Sequence, residues 1–275
     1  MQAQRQALSD ARWHYQHGPI DLIVWAHGDA QAVQAAHAAA WQVFEGILPT
    51  LVRELPVLRQ PVQAQQANPL QGEVARRMWA ACAPLVAQAD DGFITPMAAV
   101  AGAVAQEVLA CYDRAGIERA WANNGGDIAL HLREGQSLRV GLVSDMTRAL
   151  ESAAWDDLLL DGQLDIHADM PVRGVATSGW RGRSQSLGIA ESVTVLAATA
   201  AQADAAATLI ANAVNVEDPL IERCPADQVR DDTDLGDRLV TLNVPPLNPG
   251  QILIALQRGR AYAERLRAQG LIFAA

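Results

Sequence analysis

The stretch ESVTVLAATAAQADAAATLIANAV, residues 191–214, predicts a strand that leads directly into a helix. Residues 192–198 are rich in β-branched and apolar side chains, as is typical of a buried strand. Thr199 stands where a helix N-cap is expected, so residues 200–214 are predicted to be helical. Asp204 and Thr208 are four residues apart in that helix and therefore lie on the same side of it. A carboxylate and a hydroxyl in this arrangement can hold a divalent cation such as Mg²⁺.

The rest of the chain alternates between helical blocks and groups of short strands. A strand over residues 20–26 is followed by predicted helices over 29–55, 72–87 and 97–114, with a loop over 56–71. Further strands are predicted over residues 119–123, 128–132, 137–142, 161–168 and 172–176. Residues 216–237 indicate a loop or a small irregular subdomain, residues 239–244 a strand, and residues 248–270 a last helix. Consecutive strands between helical blocks predict the α+β class.

Composition excludes several functions. All 21 basic residues are arginine, which excludes a Schiff-base lysine and a lysine-containing phosphate loop. The net charge of −10 argues against a nucleic-acid partner. No stretch is long and apolar enough to predict a membrane span or a secretory signal, so we expect a cytoplasmic protein. With half of its residues apolar, the chain can bury a large core, and this share also permits a homodimer.

Two glycine-bearing segments could bind an anion. Asn123, Asn124, Gly125, Gly126 and Asp127 lie between two predicted strands, where glycines permit close approach of a ligand. The alternative is an ordinary hairpin turn, which Asn-Gly pairs favour, and from the pentapeptide alone the turn is the stronger interpretation.

The second segment, Thr177, Ser178 and Gly179, precedes Arg181 and Arg183. Hydroxyls, amides and guanidinium groups in such a loop can hold a phosphate, or they can simply be solvated. Asp204 and Thr208 also have a structural interpretation, since an early acidic residue stabilises the helix dipole and a threonine can bond to the preceding turn.

Taken together, four segments resemble the ApbE-like superfamily, and most closely a short branch of it in bacteria and archaea. They are ITPMAAVAGAVAQEV at 94–108, NNGGDIAL at 123–130, GVATSGWRGRSQSLG at 174–188 and ESVTVLAATAAQADAAATLIANAV at 191–214. The resemblance implies a single domain over residues 1–275, with a helical and strand part over 1–115 and a motif-bearing part over 116–275. It also implies a mainly antiparallel sheet packed with helices and a cleft between two lobes.

In that superfamily the enzyme cleaves FAD with Mg²⁺ and attaches FMN to a threonine of an acceptor protein. By resemblance, Asp204 and Thr208 match its metal ligands, while the glycine hairpin and the Thr-Ser-Gly segment match its ligand-binding turns. The family lysine is replaced here by Ala101, so Arg181 or Arg183 would have to supply positive charge. The hypotheses are therefore a Mg²⁺-dependent FMN transferase, a non-catalytic flavin- or metabolite-binding protein, or an enzyme acting on another small acidic substrate.

Overall fold

The computed structural model describes residues 2–63, 65–89, 92–143 and 160–275. The sequence also predicts a turn at Asp90-Asp91-Gly92, and this segment lies partly outside the described ranges. The described helices are α1 Ala30–Leu58, α2 Glu73–Cys82, α3 Val100–Ala110, α4 Ala200–Ala213, α5 Ala226–Val229 and α6 Pro249–Ala268. Short 3₁₀ turns, Ala83–Leu85 and Pro96–Ala99, follow α2 and precede α3.

The described strands form one large sheet and two hairpins. The strands are β1 Gln4–Ala7, β2 Trp13–His17, β3 Ile20–Gly28, β4 Ile117–Asn124, β5 Asp127–Leu132, β6 Ser137–Leu142, β7 Gly162–His167, β8 Gly174–Ser178, β9 Val193–Ala197, β10 Glu222–Pro225 and β11 Leu239–Asn243. The large sheet has the order β1-β2-β3-β4-β5-β8-β9, and each neighbouring pair is antiparallel. Strands β6 and β7 pair with each other, as do β10 and β11. The α+β class and the mainly antiparallel sheet are therefore confirmed.

Helices α1, α3 and α4 pack on the sheet, α2 packs against these three helices, and together they enclose the main core. That core combines Leu22 and Val24 of β3, Phe44 of α1 and Val104 of α3, all fully buried, with a row of alanines along α4. A second cluster lies between the sheet and the β6–β7 hairpin and includes Leu130, Ile166 and Val175. Because the main core draws residues from both 1–115 and 116–275, the packing agrees with one domain. The domain assignment and the cleft between two lobes remain predictions.

Local signals explain most element boundaries. The Asp29 side chain accepts the Ala32 amide at 2.9 Å and begins α1, and Thr199 accepts the Gln202 amide at 3.2 Å and begins α4. Asn248 and Gln251 form a capping box at the start of α6. The predicted start of the loop at Pro56 is wrong, because α1 continues through Pro56 to Leu58.

In the described part of the chain, no helix is long and apolar enough to cross a membrane.

Candidate functional site

The glycine hairpin is the first component of the candidate site. Strand β4 ends at Asn124 and β5 begins at Asp127, leaving Gly125 and Gly126 as a two-residue loop with φ of +66° and +113°. Such angles are strained for other residues, which explains both glycines. The Asn123 side chain accepts the Gly126 amide at 2.8 Å and stabilises the turn. The predicted hairpin turn is therefore confirmed, and this fixes Asp127 at the start of β5.

The hairpin connects to the start of α3 and to the end of β8. The buried Asn124 side chain donates to the Ala101 carbonyl at 3.1 Å. The Thr177 amide donates to Asp127 Oδ1 at 3.2 Å. Asn124 and Asp127 therefore hold the turn against segments that lie 23 and 50 residues away in sequence.

Asp204 projects from α4 onto the first turn of α3. The Gly102 amide donates to Asp204 Oδ2 at 2.9 Å, and the Ala101 amide also donates to this carboxylate. These amides belong to the first turn of α3, where backbone N–H groups lack intrahelical partners. Asp204 therefore stabilises the N-terminus of α3 rather than that of its own helix. Thr208, one turn later on the same side of α4, is partly exposed.

Asp127 and Asp204 form a pair of crowded carboxyl groups. Burial raises the pKa of Asp204 to about 7, against the amide hydrogen bonds that lower it. Burial also raises the pKa of Asp127 well above its usual range, and the charge of Asp204 raises it further. Like charges at such a site are costly, and a bound cation would relieve that cost. Carboxylate and hydroxyl oxygens are the ligands that Mg²⁺ prefers, so the donor set fits this ion.

The described residues contain no group of three or more His, Cys, Asp or Glu side chains that could hold a metal ion. Mg²⁺ commonly takes one or two carboxylates and completes its shell with water and substrate phosphates. The pair Asp127 and Asp204 is compatible with that kind of shared site.

The two arginines after the Thr-Ser-Gly segment have different positions. Arg183 Nη2 lies 1.8 Å from the point where a Cβ on Gly125 would stand, so the guanidinium rests on the hairpin loop. Its charge lowers the pKa of Asp127, which opposes the effect of burial. Arg181 instead pairs with Glu191 at 3.2 Å and lies over the Trp180 ring. Arg183 therefore contacts the hairpin, whereas Arg181 is engaged by Glu191 and Trp180.

In the Thr-Ser-Gly segment, the last residue, Gly179, has a structural role. A Cβ on Gly179 would stand 2.1 Å from the Glu191 carbonyl, and the neighbouring Trp180 amide donates to Ala190 at 2.9 Å. Gly179 therefore permits close backbone packing. Thr177 hydrogen-bonds Thr194 through its hydroxyl at 2.9 Å, and Ser178 is partly exposed at the end of β8.

Two contributors were missed by the sequence analysis. Gly102 donates to Asp204 and packs against Ala200, where a Cβ would come within 2.3 Å of the Ala200 carbonyl oxygen. A glycine within a helical pattern is the signal that could have indicated this packing role. The second is Asp234, which accepts a hydrogen bond from the buried Thr95 hydroxyl next to the 3₁₀ turn before α3. No sequence pattern linked these two residues.

Archaeal relatives are found among curated proteins. The chain is 38% identical over 160 residues to a UPF0280 protein of Methanopyrus kandleri, covering 58% of this chain and 55% of that protein. It is 37% identical over 130 residues to a UPF0280 protein of Methanothrix thermoacetophila, covering 47% and 50%. The chain thus spans about half the length of these relatives. A UPF0280 protein of Methanosarcina barkeri is 28% identical over 203 residues, covering 74% of this chain and 73% of that protein.

Among solved structures, the chain is similar to the apo crystal structure of Pseudomonas stutzeri flavinyl transferase ApbE, with a TM-score of 0.42 and 14% identity over 78% of this chain and 84% of that one. A sequence model of the family described as AbpE bacteria matches residues 5–275. Because this match covers nearly the whole chain, the protein belongs to the AbpE bacteria family.

Proposed function

We propose that this protein binds a flavin nucleotide together with Mg²⁺, and that it transfers FMN from FAD to a hydroxyl of an acceptor protein. The observation that carries the proposal is the carboxyl pair Asp127 and Asp204 next to the Arg183 guanidinium on a glycine hairpin. This arrangement offers one place for a cation and another for a phosphate, side by side. The resemblance of four segments of the sequence to the ApbE-like superfamily supports this activity.

The residues have distinct proposed roles. Asp204, Thr208 and Asp127 would hold Mg²⁺, which would neutralise the pyrophosphate and the leaving phosphate. Arg183 would bind a phosphate oxygen from the opposite side. Gly126, with nothing within 4 Å of its Cβ position, leaves room for a ligand above the turn. Thr177, Ser178 and the side chains of Asn123 and Asn124 would fix the hairpin and line the site.

The second candidate function is flavin binding without transfer. It is favoured by the absence of lysine, since Ala101 stands at the position of the family lysine and its amide and carbonyl are occupied by Asp204 and Asn124. An enzyme acting on another small acidic substrate bound by Arg183 is the third.

Titration with FAD in the presence and absence of Mg²⁺, combined with chromatography of the nucleotides, tests these functions. The transferase hypothesis expects Mg²⁺-dependent binding of FAD and, in the absence of an acceptor protein, its hydrolysis to FMN and AMP with water in place of the acceptor hydroxyl. Asp204→Asn should abolish the cleavage, whereas Asp237→Asn, a change of an exposed aspartate outside the site, should leave it intact.

Binding without cleavage would support the second candidate function. Failure to bind any flavin with or without Mg²⁺ would reject both flavin hypotheses. In that case small acidic metabolites become the ligands to screen, with Arg183→Ala as the matched negative variant.

A further inference from the structure

The hairpin of β1 and β2 forms one edge of the large sheet. Strand β2 pairs with β3, and β1 is the edge strand, with all four of its residues exposed. The turn between the two strands contains Asp10 and Ala11 with φ of +58° and +57°, in the left-handed region that favours glycine. An edge hairpin with a strained turn belongs to the less stable part of a fold, so its contacts with the helices decide whether it stays closed.

An aromatic cluster joins this hairpin to α1. Tyr15 of β2 is fully buried, and its ring centroid lies 5.3 Å from those of Trp41 and Phe44 in α1. The Tyr15 hydroxyl donates to the His37 carbonyl at 3.2 Å. The Trp13 ring of β2 lies 6.3 Å from the imidazole ring of His37. The hairpin is therefore attached to α1 around one histidine.

His37 is buried, and only one of its two ring nitrogens is hydrogen-bonded. Nδ1 lies 2.7 Å from the Tyr112 hydroxyl, whereas the buried Nε2 has no hydrogen-bond partner among the described residues. A protonated imidazole carries an N–H at both nitrogens, so it would bury a charged Nε2–H without an acceptor. No other charged residue occurs over residues 30–44 of α1 to compensate that charge. The closed cluster therefore favours the neutral imidazole.

The other groups that face the cluster also disfavour a proton on His37. Arg5 of β1 lies over two tryptophan rings of the cluster, at 5.4 and 5.1 Å from their centroids. Burial raises the pKa of the Tyr15 and Tyr112 hydroxyls and of the Cys111 thiol, so these groups are neutral. The charge of Arg114 also acts on Tyr112 and is positive. These described neighbours supply no counter-ion, and burial lowers the pKa of His37 from its ordinary value of 6.5.

We propose that His37 is a proton-sensitive latch that releases the β1–β2 hairpin in acid. A proton on the imidazole places an uncompensated charge in the aromatic cluster, and movement of the hairpin away from α1 admits water to Nε2. Release leaves β3 as the edge of the sheet, and Leu22 of this strand lies opposite Asn124, next to the glycine loop. The latch lies outside the candidate flavin site and does not depend on the proposed function.

Hydrogen–deuterium exchange of the full chain, read by mass spectrometry on peptides from residues 2–17, tests the latch. Because burial lowers the pKa of His37 in the closed state, the open hairpin binds the proton more tightly than the closed one. Opening should therefore increase roughly tenfold per pH unit as the pH falls below about 6.5, after correction for the intrinsic exchange rate. Peptides of α3 should not show this increase. The raised pKa of Asp204 acts on global stability in the opposite direction, which is why exchange is read locally in the hairpin.

Two variants separate His37 from the rest of the hairpin. His37→Gln cannot be protonated in this pH range and should remove the pH dependence of hairpin exchange. His14→Gln is the matched control, because His14 belongs to the same hairpin but lies on the other face of β2, where it pairs with Asp21 at 2.8 Å. This control should keep the acid-induced opening. NMR titration of the wild-type imidazole needs no variant, and we expect His37 to titrate below 6.5.

Each of four results would contradict the latch. The first is hairpin exchange with the same corrected rate at about pH 5 and about pH 7.5. The second is acid-induced opening that persists in His37→Gln. The third is an equal loss of protection in α3 and in the hairpin, which would mean that acid unfolds the whole chain. The fourth is a His37 imidazole that titrates at or above 6.5 in the folded protein.

Discussion

Two opposing effects act on the carboxylate of Asp204. Its burial disfavours the charged form, and the amide hydrogen bonds that it accepts at the start of α3 favour it. The net result is a pKa raised to about 7. The structural interpretation and the metal-binding interpretation of Asp204 are therefore compatible, because a carboxylate held by two amides is also one whose position is fixed before a cation arrives.

The raised pKa predicts how stability depends on pH in the absence of metal. The folded protein keeps the Asp204 proton up to about pH 7, whereas the unfolded chain releases it near pH 3.8. The free energy of unfolding should therefore fall as the pH rises from about 4 to about 7. Asp204→Asn cannot ionise and should be more stable than the wild type at pH above about 7, by roughly 2 kcal/mol after allowance for solvent screening.

Urea denaturation at a pH of about 4.5 and of about 8 measures this effect, with Asp237→Asn as the exposed control. If Asp204→Asn changes the free energy of unfolding equally at both pH values, the pKa assigned to Asp204 is wrong.

Arg183 and Arg181 provide a matched pair of substitutions. Arg183 rests on the glycine hairpin, while Arg181 pairs with Glu191 outside it. Arg183→Ala should weaken binding of FMN roughly tenfold to a hundredfold, the usual effect of losing a charge-assisted hydrogen bond. It should leave riboflavin, which has no phosphate, unaffected. Fluorescence titration of both ligands with both variants checks this, and an equal loss for Arg181→Ala would contradict the assignment.

At the scale of the elements, the contact between α3 and α4 positions Asp204. Gly102 allows the helices to approach so closely that a methyl group would stand 2.3 Å from the Ala200 carbonyl oxygen. Gly102→Ala should separate the helices, weaken the Gly102–Asp204 hydrogen bond and destabilise the protein by about 1–3 kcal/mol. Gly46 in α1 has nothing within 4 Å of its Cβ position, so Gly46→Ala should instead stabilise by up to about 1 kcal/mol.

The midpoints of urea denaturation for these two glycine variants decide the question, because the predicted changes have opposite sign. A stabilising Gly102→Ala would mean that the two helices pack less closely than described here.

The elements that the sequence predicted share strong local signals. Strand β6 has the predicted bounds Ser137–Leu142, and α4 begins after Thr199 as its cap indicates. Strands β1 and β2 were missed because local pattern does not define them. All four residues of β1 are exposed, and β2 is polar at alternate positions. Both strands are formed by hydrogen bonding to a neighbouring strand: β1 pairs with β2, and β2 pairs with β3, where Tyr15 lies opposite Leu22.

The residues of the candidate site were predictable where a local sequence pattern marks them, as for the helices and strands. Glycine turns and an acid-hydroxyl pair are local patterns, so the sequence identified Gly125, Asp127 and Asp204. Which arginine reaches the hairpin depends on the path of the loop after Gly179, and the contact of Gly102 with Ala200 depends on the packing of two helices. Both are tertiary properties without a local signature.

At the scale of the whole molecule, the candidate site joins segments that are far apart in sequence, namely the start of α3, the β4–β5 hairpin, the end of β8, the Arg183 loop and α4. A ligand bound there contacts the folded chain only, so it should raise the unfolding temperature. At a concentration a hundredfold above Kd the gain is about 2.7 kcal/mol, or roughly 5–10 °C for a chain of this size.

Asp127, Asp204 and Thr208 would fill only part of the Mg²⁺ shell, and phosphate oxygens of FMN would displace water from the rest. We therefore expect Mg²⁺ and FMN to stabilise the protein together by more than the sum of their separate effects. A thermal shift measured with each ligand alone and with both checks this synergy. Asp204→Asn should remove the synergy while keeping whatever shift FMN causes alone. A full shift with Mg²⁺ alone would instead indicate a complete protein cage for the ion, and a full shift with FMN alone would remove the metal from the proposed site.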